Sequence, residues 1–390
     1  MKKIAIISLP LMYNYGGFLQ AYALMETLRQ MNYDVTFLQR ENYKKKSLIK
    51  VLIFKIKTLI EKIGLGKFVY IIEKQTNSGL FYKTLPFRKF IKLYIKKQSP
   101  AIQSTTDLIA YCKKEAFDIY IAGSDQIWRK EFTPSIEDAF LNFVAQTEGI
   151  KISYAASLGT DKWTFSKLES QLIEKSLNSF HAISVREESG KELLEKNLNL
   201  KKEIKVMLDP TFLLTSENYL SIADKKIRRN GILTYILNMD ESKILILEKM
   251  KKETGYSSFS VINPETNKSC NIKVSQGYPV EQWLAGFRDA NYVLTDSFHA
   301  VAFSIIFNRP FWVLENSMRG NSRIINILKT FELTDRLLLS TTDISQINWE
   351  KAIDWRKVNE IKKAKVAESK MFLNLSSTYK CNFLGADNKQ

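Results

Sequence analysis

Cysteine and histidine are scarce in this chain. Its three cysteines, Cys112, Cys270 and Cys381, stand far apart, with neither a disulfide framework nor metal-ligand spacing. That fits a reducing compartment, and a cytoplasmic location is expected. There are two histidines, His181 and His299, so any imidazole chemistry must come from one of them. Eight prolines and fifteen glycines in 390 residues exclude collagen-like and Pro/Gly low-complexity chains. No run of about 18 apolar residues occurs, so no membrane-spanning helix is expected. The opening MKKIAIISLPLMYNYGG carries too short an apolar run for a signal peptide and reads as a first buried strand. No repeat shorter than a domain is visible.

Acidic residues are short in one place. Between Lys44 and Pro100 fifteen Lys/Arg face two acids, Glu61 and Glu73, which supplies most of the net charge of +17. Leu, Ile, Phe and Tyr interleave with these lysines at helical spacing. Three readings are open: a solvated helical insertion with one apolar face on the domain, a peripheral surface for anionic lipid, or a nucleic-acid site. No nucleic-acid motif accompanies the charge, so no nucleic-acid partner is expected.

Hydrophobic residues make up 45% of the chain, enough for two cores, and its length suits two domains of roughly 100–200 residues. Short β-branched runs alternate with amphipathic stretches throughout, an α/β pattern. Lys3 to Leu9 reads as a strand, Pro10 to Phe18 as a loop, Leu19 to Met31 as a helix and Tyr33 to Leu38 as a strand: a βαβ unit with Gly16-Gly17 at its first turn. The glycines either permit a tight turn or approach a ligand; there is no GxGxxG to choose. Gln20 lies one turn further on. The strand Phe117 to Ala122 runs into Gly123-Ser124-Asp125-Gln126, putting a carboxylate and an amide at a strand's carboxyl end. That position suits a site, and it equally suits an N-cap. Ala182 to Val185 ends in Arg186-Glu187. Arg186 has the planar fork that fits carboxylate or phosphate, or it pairs with a nearby acid. Ile204 to Leu208 ends in Asp209-Pro210. Ser216 to Asn230 turns polar and basic like a linker, and a second α/β pattern starts at Gly231. The expected division is 1–215, with the basic helical insertion at about 44–100; 216–342; and a helical tail, 343–390, crossing back to the first domain.

Val293 to Asn308, VLTDSFHAVAFSIIFN, is the most informative stretch. A strand ends in Asp296-Ser297, both good N-caps, and an apolar helix begins near Phe298. His299 then sits in the first helical turn at a strand's carboxyl end, where open α/β sheets bind ligands and free N–H groups suit an anion. Packing does not require a histidine there.

Six motifs occur in order: Asn14-Tyr15-Gly16-Gly17 with Leu19-Gln20, Gly123 to Trp128, Ser153 to Ser157, Ser184-Val185-Arg186-Glu187, Leu208 to Thr211, and Thr295 to His299. Together they resemble the polysaccharide pyruvyl transferase family. The resemblance implies two Rossmann-like domains facing a cleft, as in GT-B glycosyltransferases. It implies transfer of pyruvate from phosphoenolpyruvate to two hydroxyls of one sugar, forming a cyclic ketal on a surface polysaccharide or its lipid-linked precursor. It makes phosphoenolpyruvate the donor substrate, with no cofactor and no metal site. Catalytic roles would fall on His299, Arg186 and Asp125. Donor binding would fall on Arg186, Ser297, Phe298, His299 and Arg323, and the acceptor cleft on Asn14, Tyr15, Gly16, Gly17, Gln20, Ser124, Asp125 and Gln126. Family members often have Arg where this chain has Ser297, so Arg323, or else Arg319, is expected to neutralise the phosphate instead. Alanine at Arg186 or His299 is expected to stop turnover without unfolding the chain. Alternatives are a nucleotide-sugar glycosyltransferase on the same architecture, with Asp125 or Asp209 as base, and an inactive membrane-associated scaffold. An anionic membrane at the inner face is an expected surface partner, reached through the basic insertion.

Overall fold

The computed structural model describes residues 1–11, 14–41, 85–263, 277–316 and 321–374. Arg319 and residues 44–84 of the basic stretch lie outside the described residues.

The first half is a parallel sheet built on β1 (Lys3–Ile7), β2 (Asp34–Leu38), β3 (Ile119–Ala122) and β4 (Ile150–Ser153), in the order β2-β1-β3-β4. Its strands are near-continuous apolar runs because both faces are covered. The parallel pair β5 (Ile183–Val185) and β6 (Ile204–Val206) extends it, through single bridges from Ile152 to Ala182 and from Ala156 to Val185. The second half is a five-stranded parallel sheet of β7 (Ile232–Tyr235), β8 (Ser258–Ser260), β9 (Tyr292–Thr295), β10 (Phe311–Leu314) and β11 (Leu337–Leu338), ordered β11-β10-β9-β7-β8. In both sheets the strand order reverses beside the opening strand, between β1 and β3 and between β7 and β9. Such switch points leave a crevice at the carboxyl edge.

The helices that matter for the site are α1 (Tyr15–Gln30), α2 (Leu85–Tyr94), α3 (Thr105–Glu115), α4 (Lys167–Asn178), α5 (Glu188–Asn197), α6 (Ser216–Ile222), α7 (Glu241–Thr254), α8 (Val280–Asp289), α9 (Phe298–Ile306), α10 (Ser322–Thr330) and α11 (Trp355–Leu373). Helix α1 starts at Tyr15, not Leu19, so Gly16 and Gly17 lie in a helix's first turn rather than in a loop. The supposed linker contains α6, whose Tyr219 is fully buried and edge-on to Phe303 of α9. Every residue of α9 is buried, which its all-round apolar sequence requires.

The halves share a core. Tyr15 stacks on Trp283 of α8 with ring centroids 5.6 Å apart and donates its hydroxyl to the Tyr278 carbonyl at 2.7 Å. At the other end α11 returns from the second half to the first. Phe372 meets the Tyr154 ring at 6.2 Å, and Ser369 Oγ approaches Met207 Sδ at 3.7 Å. The described part of the basic stretch includes α2, with Phe87 and Phe90 buried and Lys89 and Lys92 exposed.

Candidate active site

The site grows from the carboxyl edge of the first sheet. Beyond β3 the chain turns sharply and Asp125 takes a left-handed backbone, φ 64°, a conformation aspartate tolerates better than most residues. Its Oδ2 accepts from Asn14 Nδ2 at 3.3 Å and its Oδ1 from Arg186 Nη2 at 3.3 Å. Asp209, just past β6, is more heavily bonded. Its Oδ1 accepts from Thr211 N at 3.0 Å and Thr211 Oγ1 at 2.8 Å, and its Oδ2 from Arg186 Nη1 at 2.9 Å and Ser124 Oγ at 3.2 Å. Glu187 completes the group. Its Oε1 accepts from Ser157 Oγ at 2.6 Å, while its Oε2 lies 3.7 Å from Arg186 Nε with no hydrogen bond to either atom. One guanidinium therefore sits among three carboxylates, all four residues at most 3% exposed.

Burial alone would destabilise every charge here, but the partners decide the outcome differently for each acid. Burial raises Asp209, yet the His299 imidazole, Arg186 and the Thr211 N–H outweigh it and hold the carboxyl below its ordinary range. For Glu187 burial wins over Arg186 and the Ser157 hydroxyl, and its carboxyl is pushed up. Burial would lower Arg186, but Asp125, Asp209 and Glu187 outweigh it and raise the guanidinium.

The second half supplies the rest. Asp296 does not cap α9. Its carboxylate accepts from the Leu237 and Asn238 amides at 2.6 and 3.2 Å, from Lys243 Nζ at 2.9 Å and from Asn316 Nδ2 at 2.8 Å, tying the ends of β7, β9 and β10 together. Ser297 is the N-cap residue, and its hydroxyl makes no capping bond. Phe298 lies under the Arg186 guanidinium, 4.4 Å from it, a cation–π contact across the halves. His299 follows, with Nε2 3.7 Å from Asp209 Oδ2 and no hydrogen bond. Its ring lies against the backbone of Gly16: a Cβ there would fall 2.0 Å from Nδ1. Gly16 thus lies in a helix rather than a tight turn, and it makes room for His299.

Helix α10 docks beside this cluster. Asn326 donates to the Arg186 carbonyl at 3.2 Å and accepts from Glu188 N at 3.1 Å. One turn earlier, Arg323 feels the charges of Arg186, Glu187, Asp125 and Arg129; burial and Arg186 lower it to about 10.

Among the residues expected at the site, Asn14, Gly16, Ser124, Asp125, Arg186, Phe298, His299 and Arg323 come together. Tyr15 does not line a cleft; it is core, stacked on Trp283. Gln20 also points inward, donating to Ser8 Oγ at 3.2 Å and the Gly17 carbonyl at 3.1 Å. Gly17 packs on the Asn14 side chain. Gln126 leans over Gly159 and accepts from Arg129. Sequence reasoning gave Glu187 only the part of an ion-pair partner and missed Asn326; a single polar residue on an amphipathic helix carries no local signal. Asp209 was legible as the end of a strand but not as the acid beside His299.

A family model described as polysaccharide pyruvyl transferase matches residues 14–318. The chain belongs to the polysaccharide pyruvyl transferase family. As a pyruvyl transferase family member it is a transferase of polysaccharide biosynthesis. Comparison with curated proteins finds no match. Among solved structures, UDP-GlcNAc 2-epimerase from Methanocaldococcus jannaschii is similar, with a TM-score of 0.55 and 13% identity, over 96% of this chain and 99% of that one. UDP-GlcNAc 2-epimerase from Neisseria meningitidis, solved bound to UDP-GlcNAc, has a TM-score of 0.52 and 10% identity, over 97% and 99%. These likenesses show the fold: this pyruvyl transferase family member has GT-B architecture. No helix among its described residues is long and apolar enough to cross a membrane.

Proposed function

We propose that this protein transfers pyruvate from phosphoenolpyruvate to two hydroxyls of one sugar, on a cell-surface polysaccharide or its lipid-linked precursor. The observation that carries the reading is His299 of the second half lying on Gly16 and beside Asp209 of the first, next to Arg186. The reaction adds a proton to the donor's methylene carbon, takes one from each sugar hydroxyl and releases phosphate. The second hydroxyl proton leaves on the phosphate, so the overall proton balance is zero. An imidazole oriented by a carboxylate can accept the first hydroxyl proton, a role worth about 10²–10⁴-fold. Asp209 is that carboxylate, and Asp125 holds Arg186 and Asn14 in place around it. His299 is only 7% exposed, and we propose that the halves part to admit the donor to it.

The test is phosphate release from phosphoenolpyruvate with and without acceptor oligosaccharide, and mass spectrometry of the product for a pyruvate ketal. The parent should give both signals and His299→Ala neither. Consumption of a nucleotide sugar without phosphoenolpyruvate turnover would favour a glycosyltransferase instead. That rival would use the second switch point for its nucleotide, where Lys243 is already bonded to Asp296.

Arg323 is the proposed substitute for the arginine that this chain lacks at Ser297. A hydrogen bond to a charged group contributes roughly 1.5–3 kcal/mol. Arg323→Ala should therefore weaken donor binding by about ten- to a hundredfold; a Kd within about twofold of the parent would remove Arg323 from the donor site. The exposed basic face of α2 is the described part of a surface proposed for anionic membrane. Charge reversal at Lys89 and Lys92 should lower binding to phosphatidylserine vesicles at low salt and have little effect at high salt. Unchanged vesicle binding would leave α2 as a solvated helix.

A further inference from the structure

Two guanidinium groups, the buried Arg186 and the half-buried Arg323, lie with three buried carboxylates, Asp125, Asp209 and Glu187. Arg129 is nearby but already paired with Glu131 at 3.2 Å. Among the described residues, His299 aside, the cluster sets three negative charges against two positive ones. Phosphoenolpyruvate brings a carboxylate and about two further charges from its phosphate at pH 7. Charges of one sign brought together in a dry site repel strongly, so a cation or a proton must enter with the donor.

The three acids are not equally able to take that proton. Asp209 has four hydrogen-bond donors and Asp125 has two. Each bond stabilises the ionised form. Glu187 is reached by the Ser157 hydroxyl and by the Gly159 N–H. Among the described residues it is the one acid of the three with an oxygen, Oε2, left without a hydrogen bond. Burial already pushes its carboxyl above the ordinary range. The charged groups that act on it are Arg186 on its own turn and Arg323 from the second half, and Arg186 is shared with Asp125 and Asp209. A proton on Oε2 also turns an orphaned acceptor into a donor, which an incoming phosphate or carboxylate can accept.

We propose that a polyanionic donor binds this cluster together with one proton, carried on Oε2 of Glu187. The identity of the donor rests on the pyruvyl transfer reading; the proton uptake rests on the cluster alone. Two acids in one site with opposite environments, Asp209 held down by its partners and Glu187 pushed up by burial, are the arrangement that separates base from acid.

The experiment is calorimetric titration of the full chain at neutral pH in two buffers of different ionisation enthalpy, with phosphoenolpyruvate and, separately, inorganic phosphate. The expected result is uptake of about one proton per donor by the parent and by His299→Ala, and near zero by Glu187→Gln. Glutamine keeps the size of the side chain and can still bond Ser157. The parent's Kd should weaken about tenfold per pH unit above neutrality, and that of Glu187→Gln should not. The parent's pH slope is a second reading that survives if the variant fails to fold. No uptake and no slope with either ligand would overturn the proposal. So would full uptake by Glu187→Gln, or its loss in His299→Ala, which would place the proton on the imidazole. Uptake with phosphate but no binding of phosphoenolpyruvate would uphold the proton and overturn the donor.

Discussion

Gly16→Ala should reduce turnover by about 10²–10⁴-fold, the range of a lost general acid–base group, although alanine ordinarily improves a helix. Within a helix the change normally stabilises by roughly 0.5–1 kcal/mol. Here the new methyl would stand 2.0 Å from His299 Nδ1, far inside contact distance. Helix α9 is buried along its whole length and cannot retreat. The imidazole must therefore rotate away from Asp209, or the halves must separate. Overpacking of this kind costs about 1–3 kcal/mol. The decisive control is the double variant Gly16→Ala with His299→Ala. With the ring gone the methyl fits, so the double variant should be more stable than Gly16→Ala alone, a coupling that independent sites do not show. Turnover rates and denaturant midpoints of the four proteins measure both effects. Parental activity and stability in Gly16→Ala would mean that His299 does not work from this position.

Arg186→Ala should unfold far more easily than the parent, by about 3–5 kcal/mol, the usual result of breaking a buried ion pair from one side. This replaces the simple expectation of an inactive but intact variant. In the parent, Asp209 is held below its ordinary range, so its contribution to stability is full above the unfolded carboxyl pKa and disappears as pH falls. Without Arg186 the cluster's largest change is at Glu187, which burial already pushes up and which loses its nearest cation, so its carboxyl is pushed further up. Its contribution to stability is then present at low pH and lost as pH rises. The gap between variant and parent should accordingly be widest near neutrality and shrink toward about pH 5, where the carboxylates can take up protons. Urea melts across that interval test it. A gap under about 1 kcal/mol at neutral pH, or one that does not change with pH, would mean that the carboxylates find compensation elsewhere. Arg186→Lys should fall between the two, since an ammonium lacks the fork that reaches both aspartates.

The sequence read best where a property is local. Strand β9 and helix α9 lie where apolar patterning puts them, because that pattern is itself the record of burial on a sheet or helix. The beginning of α1 was misplaced by four residues because a Gly pair in a first helical turn looks like a loop. The Ser216 to Asn230 stretch was read as linker since its polarity hides the two buried anchors of α6, Tyr219 and Ile222.

By itself, then, the sequence determined the alternation of strands and helices, the family, and the few polar residues at strand ends. With two histidines in the chain, it also singled out His299. Only the tertiary structure decided what those residues do to one another. Arg186 lies 61 positions from Asp125 and 23 from Asp209, and no local pattern announces that one guanidinium will be shared between them. The room for His299 comes from a missing side chain at Gly16, in the other half of the molecule. Patterning reports which face of an element is buried; which charges meet, and which of them keep their protons, is fixed by the packing of elements distant in sequence.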